Sequence, residues 1–263
     1  MWVDTHCHLD AAEFDADRDT VADAAFACGV TTIVVPAVER ANFGAVASVC
    51  RDYSGCHAAY GIHPMYVARA HDDDLIALSD MLSGERVVAL GEIGLDRFVE
   101  QRDEARQAHF FTAQLRLARD LQLPVLLHVR RAIDEVLKHL RAIRVCGGIA
   151  HAFNGSRQQA DELIRLGFKL GFGGVASFPR ARRIRDLAAS LPIDSIVLET
   201  DAPDMAPEWI GGGRNEPRHL PRIAQVIADL RGVPVEALAV ATCANVASVL
   251  PALRLQNAPT RLH

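Results

Sequence analysis

The sequence predicts an α/β protein that folds as one (β/α)8 barrel, the TIM barrel, and three observations lead to this prediction. Short apolar runs alternate with longer segments of helical periodicity, and the alternation repeats about eight times along the chain. Near-continuous apolar strands separated by helices are typical of a parallel sheet that is buried on both faces. A length of 263 residues suits a closed barrel of roughly 250 residues. An open doubly wound sheet is the competing architecture, but no Gly-x-Gly-x-x-Gly follows any predicted strand.

The predicted elements follow one another in regular alternation. Apolar residues at three- and four-residue spacing, such as Ala108, Phe111 and Leu115, indicate amphipathic helices. The predicted strands are residues 2–5, 32–36, 58–62, 87–91, 125–128, 148–151, 168–172 and 196–199. The predicted helices are residues 17–28, 40–53, 73–82, 102–121, 133–143, 157–166, 180–191, 220–230 and 235–250. Because no linker divides the chain, we expect one domain over residues 1–253 and a loose tail at 254–263.

Composition and charge exclude several classes of protein. Half of the residues are hydrophobic, so a disordered chain is excluded, and a net charge of -5 is unlike that of a nucleic-acid coat protein. The acidic first twenty residues do not resemble a signal peptide, and no stretch approaches the ~18 apolar residues of a membrane span. We therefore expect a soluble cytoplasmic protein with no membrane partner and no obligate protein partner.

The six cysteines predict no zinc ribbon and no disulfide framework. They are scattered along the chain, and none of them forms a Cys-x-x-Cys pair. Isolated cysteines of this kind behave as small buried hydrophobes in a reducing compartment.

The chain opens on a possible pair of metal ligands, His6 and His8. Successive side chains of an extended strand alternate faces, so these two imidazoles point the same way and can bind one ion, while Cys7 points away. His-x-His alone is also consistent with a plain polar strand end, and the rest of the chain has to decide.

Further polar residues follow the other predicted strands, and a barrel brings all such strand ends to one mouth. The set comprises His6 and His8 after the first strand, His63 after the third, Glu92 after the fourth, His128 after the fifth, His151 after the sixth, and Glu199 and Asp201 after the eighth. Taken singly, a strand-end histidine is more often a hydrogen-bonded core residue, and Asp201 could cap a turn. Four imidazoles and two carboxylates of this set, brought together at one mouth, would be costly to bury without a cation. One catalytic zinc needs about three protein ligands, so the larger set favours two ions that share a carboxylate and hydrolyse an ester bond.

The lysine inventory narrows the identity of the bridging ligand. Some barrel hydrolases with His-x-His on the first strand bridge their metals with a carboxylated lysine, and this chain contains only Lys138 and Lys169. Lys138 lies inside a predicted helix and Lys169 near the start of a predicted strand, so neither is expected to reach the mouth. Glu92 is then the expected bridge.

Seven short motifs resemble, in family order, the successive blocks of the TatD family of metal-dependent deoxyribonucleases. They are VDTHCHLD (residues 3–10), YGIHP (60–64), LGEIGLD (90–96), PVLLHVR (124–130), HAFNG (151–155), LETDAP (198–203) and RNEP (214–217). The resemblance implies a (β/α)8 phosphodiesterase that acts on DNA by means of a metal-activated water.

The resemblance also implies a role for individual residues. His6, His8 and Asp201 would bind one divalent ion, His128 and His151 the second, and Glu92 both. Glu92 and Asp201 would be catalytic, with Asp201 orienting or deprotonating the attacking water. His63 and Arg130 would contact the substrate phosphate, and Asn215 would either contact substrate or order its Gly-rich loop. Magnesium or manganese would be used, although zinc, cobalt or iron also suit imidazole ligands.

Two stretches depart from the family pattern or add to it. Arg97 and Phe98 stand where many relatives carry an aromatic pair, so an extra phosphate contact could replace base stacking there. The arginines of residues 180–185 could guide a nucleic-acid backbone or form a solvated helix face.

Two other functions remain open from the sequence. One is a hydrolase of a small-molecule amide, lactone or phosphoester, because one barrel fold supports many chemistries. The other is a metal-binding scaffold without catalysis. The native metal, endonuclease or exonuclease action, DNA or RNA preference and the oligomeric state are likewise left open.

Overall fold

Eight parallel strands form the sheet in the order β1 to β8, in a computed structural model that describes residues 1–84, 86–100 and 102–253. The strands are β1 (Trp2–Asp4), β2 (Val30–Pro36), β3 (Cys56–Tyr60), β4 (Val87–Asp96), β5 (Val125–Arg130), β6 (Gly148–Ala150), β7 (Phe168–Phe172) and β8 (Ile196–Leu198). The sheet closes because Thr5 N–H donates to the Leu198 carbonyl at 3.1 Å, and Asp201 N–H donates to the His6 carbonyl at 2.8 Å. The predicted (β/α)8 TIM barrel is confirmed, and the predicted tail at 254–263 lies outside the described residues.

Helices alternate with the strands and surround the sheet. They are α1 (Arg18–Ala27), α2 (Phe43–Asp52), α3 (Asp72–Met81), α4 (Glu104–Asp120), α5 (Ile133–Ala142), α6 (Arg157–Arg165), α7 (Arg182–Ser190), α8 (Leu220–Arg231) and α9 (Val235–Val249). Within the described residues no single helix is long and apolar enough to cross a membrane, while the bent pair 217–231 and 235–249 meets that length and composition test jointly.

Both faces of the sheet are buried, which explains the near-continuous apolar strands. Along β2, Ile33 and Val35 pack outward against the helices, whereas Val34 packs inward among the side chains that fill the barrel. The last helix, α9, closes the amino-terminal end of the barrel, where Val246 joins the interior cluster and Asn245 donates hydrogen bonds to backbone carbonyls around the start of β8. The carboxyl-terminal end is left for the polar residues.

The structure corrects the bounds of most predicted strands, and two of the corrections change the position of a site residue. The predicted fourth strand ends at residue 91, but β4 continues to Asp96, because residues 93–96 pair with residues 127–130 of β5. Glu92 therefore lies within a strand and not after one. The third strand, in contrast, ends at Tyr60, so the residues up to His63 form the connection that follows it.

The prediction of six buried cysteines is wrong for two of them. Cys7, Cys50, Cys56 and Cys243 are buried, whereas Cys28 and Cys146 are exposed. Cys28 ends α1 and Cys146 lies in the connection before β6, where the chain turns at the surface.

Replacement of Gly148 by alanine should destabilise the barrel. A Cβ atom at Gly148 would lie 1.9 Å from the Val125 carbonyl oxygen of the paired strand, and backbone cannot move aside cheaply. We expect Gly148→Ala to lower the free energy of unfolding by about 3 kcal/mol in urea denaturation. The matched control is Gly44→Ala in α2, where a Cβ meets nothing within 4 Å and stability should rise by up to about 1 kcal/mol. Equal stability of the two variants would contradict this description of the sheet.

Candidate metal centre

The Glu92 carboxylate lies at the centre of the polar mouth and divides the surrounding histidines between its two oxygens. Oε1 is 2.8 Å from Nε2 of His151 and 3.1 Å from Nδ1 of His128. Oε2 is 3.2 Å from Nε2 of His6 and 3.7 Å from Nε2 of His8. Glu92 is only 2% exposed. One buried carboxylate thus faces two separate pairs of imidazoles.

Asp201 adds a second carboxylate on the His6 and His8 side. Its Oδ1 is 3.6 Å from Nε2 of His8 and 3.7 Å from Nε2 of His6. The Asp201 backbone adopts φ +55°, a left-handed conformation that aspartate tolerates better than most residues. Because its N–H donates to the His6 carbonyl, the turn after β8 is held directly against the end of β1.

Strand alternation brings the remaining histidines to the same place. Leu126 and Ile149 belong to the cluster that fills the barrel, and His128 and His151 follow each of them by two residues, so they also face inward. His63 enters from the connection after β3, with its Nε2 3.5 Å from Glu92 Oε1. All the residues that the sequence nominated as ligands are therefore brought together.

Hydrogen bonds to the backbone distinguish the roles that His8 and His63 can play. Nδ1 of His8 lies 3.2 Å from the Pro36 carbonyl oxygen, so it carries the proton and leaves the Nε2 lone pair facing Glu92. Nδ1 of His63 accepts the Met65 N–H at 3.1 Å, so a neutral His63 carries its proton on Nε2. His8 therefore offers a lone pair to a metal, whereas His63 offers a hydrogen-bond donor.

Burial and mutual repulsion keep two of the imidazoles neutral. Burial, assisted by the nearby His151, lowers the pKa of His6 to about 3, and burial with the neighbouring His128 lowers the pKa of His63 to about 4. Burial also opposes a charge on His151, but the Glu92 carboxylate outweighs it and raises the pKa of His151 to about 10. Without a metal, one proton on His151 thus pairs with Glu92, and metal binding would release it.

The residues present fit a divalent cation. Among the described residues, both ring nitrogens of His6 and Nδ1 of His151 are buried and find no hydrogen-bond partner, which is costly unless these atoms serve another purpose. Three groups of side chains, each with its ligand atoms within 4.8 Å of one another, could hold an ion: His6, Glu92 and His151; His6, His8 and Asp201; His63, Glu92 and His128. Imidazole and carboxylate donors together suit zinc, manganese, iron or cobalt.

Two buried carboxylates that the sequence analysis left without a role support these ligands. Asp4 accepts hydrogen bonds from the backbone and hydroxyl of Thr200, and this ties β1 to the turn that carries Asp201. Burial raises the pKa of Asp4 to about 7. Glu199 accepts the Ala152 N–H, and burial raises its pKa to about 8.

A third such carboxylate, Asp96, lies next to a candidate ligand. Its Oδ2 is 3.0 Å from Nε2 of His128, on the side of the ring that faces away from Glu92. The signal that could have found these acids is their position within or beside apolar strands, where a buried carboxylate requires a partner.

Arg130 and Asn215, the other predicted substrate contacts, occupy different environments. Arg130 is exposed at the end of β5, with its guanidinium carbon 3.6 Å from the centre of the Phe98 ring. Asn215 is fully buried and donates hydrogen bonds to the carbonyls of Thr200 and Asp204 at 2.8 and 2.9 Å. Asn215 therefore orders the loop after β8 in this conformation, which is the alternative that the sequence left open.

Several arginines near the mouth are already engaged by the protein. Arg97 forms an ion pair with Glu135 and donates to Gln107, which argues against its use as an extra phosphate contact. Within the 180–185 cluster, Arg183 donates to Asn154 and Arg185 to the Ala176 carbonyl. Half of that cluster therefore orders neighbouring loops.

Neither lysine approaches the centre. Lys138 lies on α5, and Lys169 lies at the start of β7, where its ammonium donates to the Asp194 carbonyl. A carboxylated lysine bridge is therefore not available in this fold, as the lysine inventory predicts.

Comparison with known proteins places this barrel among metal-dependent hydrolases. A family model described as TatD related DNase matches residues 3–251. The chain is 39% identical over 247 residues to YjjV of Escherichia coli strain K12, which is described as an uncharacterized metal-dependent hydrolase. The alignment covers 93% of this chain and 95% of that protein. The crystal structure of YjjV superposes with a TM-score of 0.91 at 38% identity and covers 95% of this chain and 98% of the other. The chain is also 32% identical over 250 residues to the E. coli K12 protein named 3'-5' ssDNA/RNA exonuclease TatD, covering 92% and 96% of the two chains.

Loss of Glu92 should abolish metal binding while the fold persists. Glu92→Ala removes the carboxylate that faces both histidine pairs, so we expect affinity for Zn²⁺ or Mn²⁺ to fall by more than about 100-fold, measured by equilibrium dialysis and elemental analysis. Glu135→Ala is the matched control, because that carboxylate pairs with Arg97 and contacts no ligand. Retention of full metal content by Glu92→Ala would refute the central position of this residue.

Proposed function

The chain belongs to the TatD-related DNase family of metal-dependent hydrolases, and from that premise we propose that it cleaves phosphodiester bonds in DNA with the help of two divalent ions. The observation that carries the proposal is the division of the Glu92 carboxylate between two pairs of histidines. Relatives named as 3'-5' exonucleases of single-stranded DNA and RNA support a nucleic-acid substrate. The six free cysteines of this chain support the expected location in a reducing compartment, the cytoplasm.

The ligands would divide into two sets that share Glu92. His6, His8 and Asp201 would hold one ion, His128 and His151 would hold the other, and Glu92 would serve both. Divalent ions at these positions would supply Lewis-acid activation of water and neutralise charge on the phosphoryl oxygens. His63 is left out of both sets, because its hydrogen bond from Met65 leaves a proton on Nε2.

The protein side chains would then act on the substrate as follows. Asp201 orients the attacking water and accepts one of its protons as the new phosphorus–oxygen bond forms. Burial raises the pKa of Asp201, which makes it a better proton acceptor than an exposed aspartate. His63 donates its Nε2–H to a phosphoryl oxygen, and Arg130 binds the phosphate from the rim with its guanidinium fork. The phosphodiester bond breaks and leaves a phosphomonoester and a free hydroxyl end.

Purified protein should shorten or nick DNA in a metal-dependent reaction. We expect cleavage of end-labelled single- or double-stranded DNA with Mg²⁺ or Mn²⁺, and no cleavage after addition of a chelator. Asp201→Asn should lower kcat by at least about 100-fold, since it weakens an ion site and removes the proton acceptor. Turnover of amides, lactones or small phosphoesters without cleavage of any nucleic acid would favour the small-molecule alternative. Unchanged biological activity of Glu92→Ala would favour the scaffold alternative.

Arg130 should contribute to substrate binding through the phosphate. We expect Arg130→Ala to lower kcat/KM on single-stranded DNA by about 10-fold. The slope of log KM against log salt should also fall by about 0.7, the value for one phosphate contact on a single strand. The control is Arg141→Ala, an arginine of α5 that pairs with Glu162 on the outer ring of helices. An effect of equal size in both variants would show that Arg130 does not contact the bound DNA.

A further inference from the structure

Asp96 is a buried carboxylate at the end of β4 that touches one site histidine and no other candidate ligand in the described part of the chain. Its side chain is 0% exposed, and Oδ2 lies 3.0 Å from Nε2 of His128. The other oxygen, Oδ1, accepts the backbone N–H groups of Phe98 at 2.8 Å and Val99 at 3.3 Å. Three donors therefore converge on one carboxylate.

The hydrogen-bond geometry around Asp96 is that of an ionised carboxylate. Both oxygens face donors: Oδ1 accepts two backbone N–H groups, and Oδ2 faces a ring nitrogen that can carry a hydrogen. An ionised carboxylate can only accept hydrogen bonds. The His128 nitrogen that faces it must therefore carry a hydrogen.

The tautomer of His128 follows from that contact. With a hydrogen on Nε2, the neutral ring has its lone pair on Nδ1. Nδ1 is 3.1 Å from Oε1 of Glu92 and 3.4 Å from Nε2 of His151. The lone pair of His128 is thus directed at the same space as the other ligands of the second proposed ion.

We propose that Asp96 is a positioning residue, which fixes His128 in the Nε2–H tautomer and so presents Nδ1 to the second metal ion. This inference rests on the proposed function, because it assumes an ion between His128, His151 and Glu92. Carboxylates that hold a ligating histidine in this way orient the ring and increase its basicity as a ligand.

His128 differs in this respect from its neighbours. His8 donates to a backbone carbonyl, and within the described part of the chain the ring nitrogens of His6 have no hydrogen-bond partner. The Glu199 carboxylate is 3.9 Å from Nδ1 of His151, beyond hydrogen-bond distance. In the described residues, His128 is accordingly the one histidine of the two proposed ion sites that lies within hydrogen-bond distance of a carboxylate outside them. The second ion should depend on Asp96 more than the first does.

The substitution Asp96→Asn tests the inference because asparagine cannot satisfy all three donors. Its single oxygen can face either the backbone N–H groups or His128, and its amide group then faces the other. If the oxygen stays with Phe98 and Val99, the amide N–H points at Nε2 of His128 and forces the proton onto Nδ1. In that tautomer a proton occupies Nδ1, so the lone pair that would bind the metal is no longer available. Asp96→Ala is a second variant, which removes the acceptor without adding a donor and should leave a mixture of tautomers.

Two measurements on the full chain decide the matter. The first is the ¹H–¹⁵N correlation spectrum of the histidine rings in metal-free protein, recorded at a pH where the His128 ring is neutral. It reports the tautomer of His128 directly, and a merely structural role of Asp96 would not change it. The second is titration with Zn²⁺ by calorimetry in competition with a chelator. Asp103→Asn is the matched control, because Asp103 caps α4 at the surface and asparagine is an equally good cap.

We expect wild type and Asp103→Asn to show the Nε2–H tautomer of His128 and two Zn²⁺ sites. Asp96→Asn should show the Nδ1–H form, with affinity for one Zn²⁺ lowered about 10- to 100-fold and the other unchanged. The role of Asp96 would be overturned if folded Asp96→Asn or Asp96→Ala kept the His128 tautomer or the Zn²⁺ binding of wild type. In that case, cleavage of DNA by wild-type protein would still uphold the proposed function. Wild-type protein that binds no Zn²⁺ and cleaves no DNA would overturn both.

Discussion

One carboxylate, that of Glu92, is buried among histidines at the polar end of the barrel. Glu92 is 2% exposed and has five imidazoles within 3.7 Å of its two oxygens. A charge of this kind is expensive to bury unless protons or metal ions balance it. In metal-free protein a proton on His151 provides the balance, and the same geometry allows cations to replace it. The surrounding residues differ mainly in which nitrogen they present to that space.

The barrel supplies this geometry through close backbone packing at the strand ends. A Cβ atom at Gly61 would lie 2.7 Å from the Gly91 carbonyl carbon, and one at Gly91 would lie 2.5 Å from Cβ of Leu126. Likewise, a Cβ at Gly171 would lie 2.1 Å from Glu199 Oε2. Glycine at these positions lets β4 approach its neighbours and leaves room for the buried acids. The same glycines therefore allow both the close packing of the strands and the placement of the buried acids.

Hydrogen bonding outside the ligand set assigns different chemistry to side chains of the same type. His8 and His63 are both histidines at the mouth, but a carbonyl acceptor lies next to Nδ1 of His8 and an N–H donor next to Nδ1 of His63. Nε2 of His8 therefore keeps a free lone pair, whereas Nε2 of His63 keeps a free N–H. Arginines show the same contrast. Arg97 is held by Glu135 and Gln107, whereas Arg130 lies exposed over Phe98 with no carboxylate partner among the described residues. Residue type alone therefore does not predict which groups remain available to a substrate.

The order of apolar and polar residues was enough to predict the barrel and to nominate the histidines and the two acids that meet at its mouth. Apolar strands with helical segments between them specify parallel pairing, and histidines at the ends of parallel strands must meet because the strands all point the same way. The positions of the two lysines likewise excluded a lysine bridge without any coordinates. Three features became visible only in the folded protein: β4 runs on past Glu92, Asn215 is buried in its loop, and Asp96 faces His128. The physical reason is that a strand's direction follows from local pattern, whereas hydrogen-bond partners and ring tautomers depend on atoms brought close from distant parts of the chain.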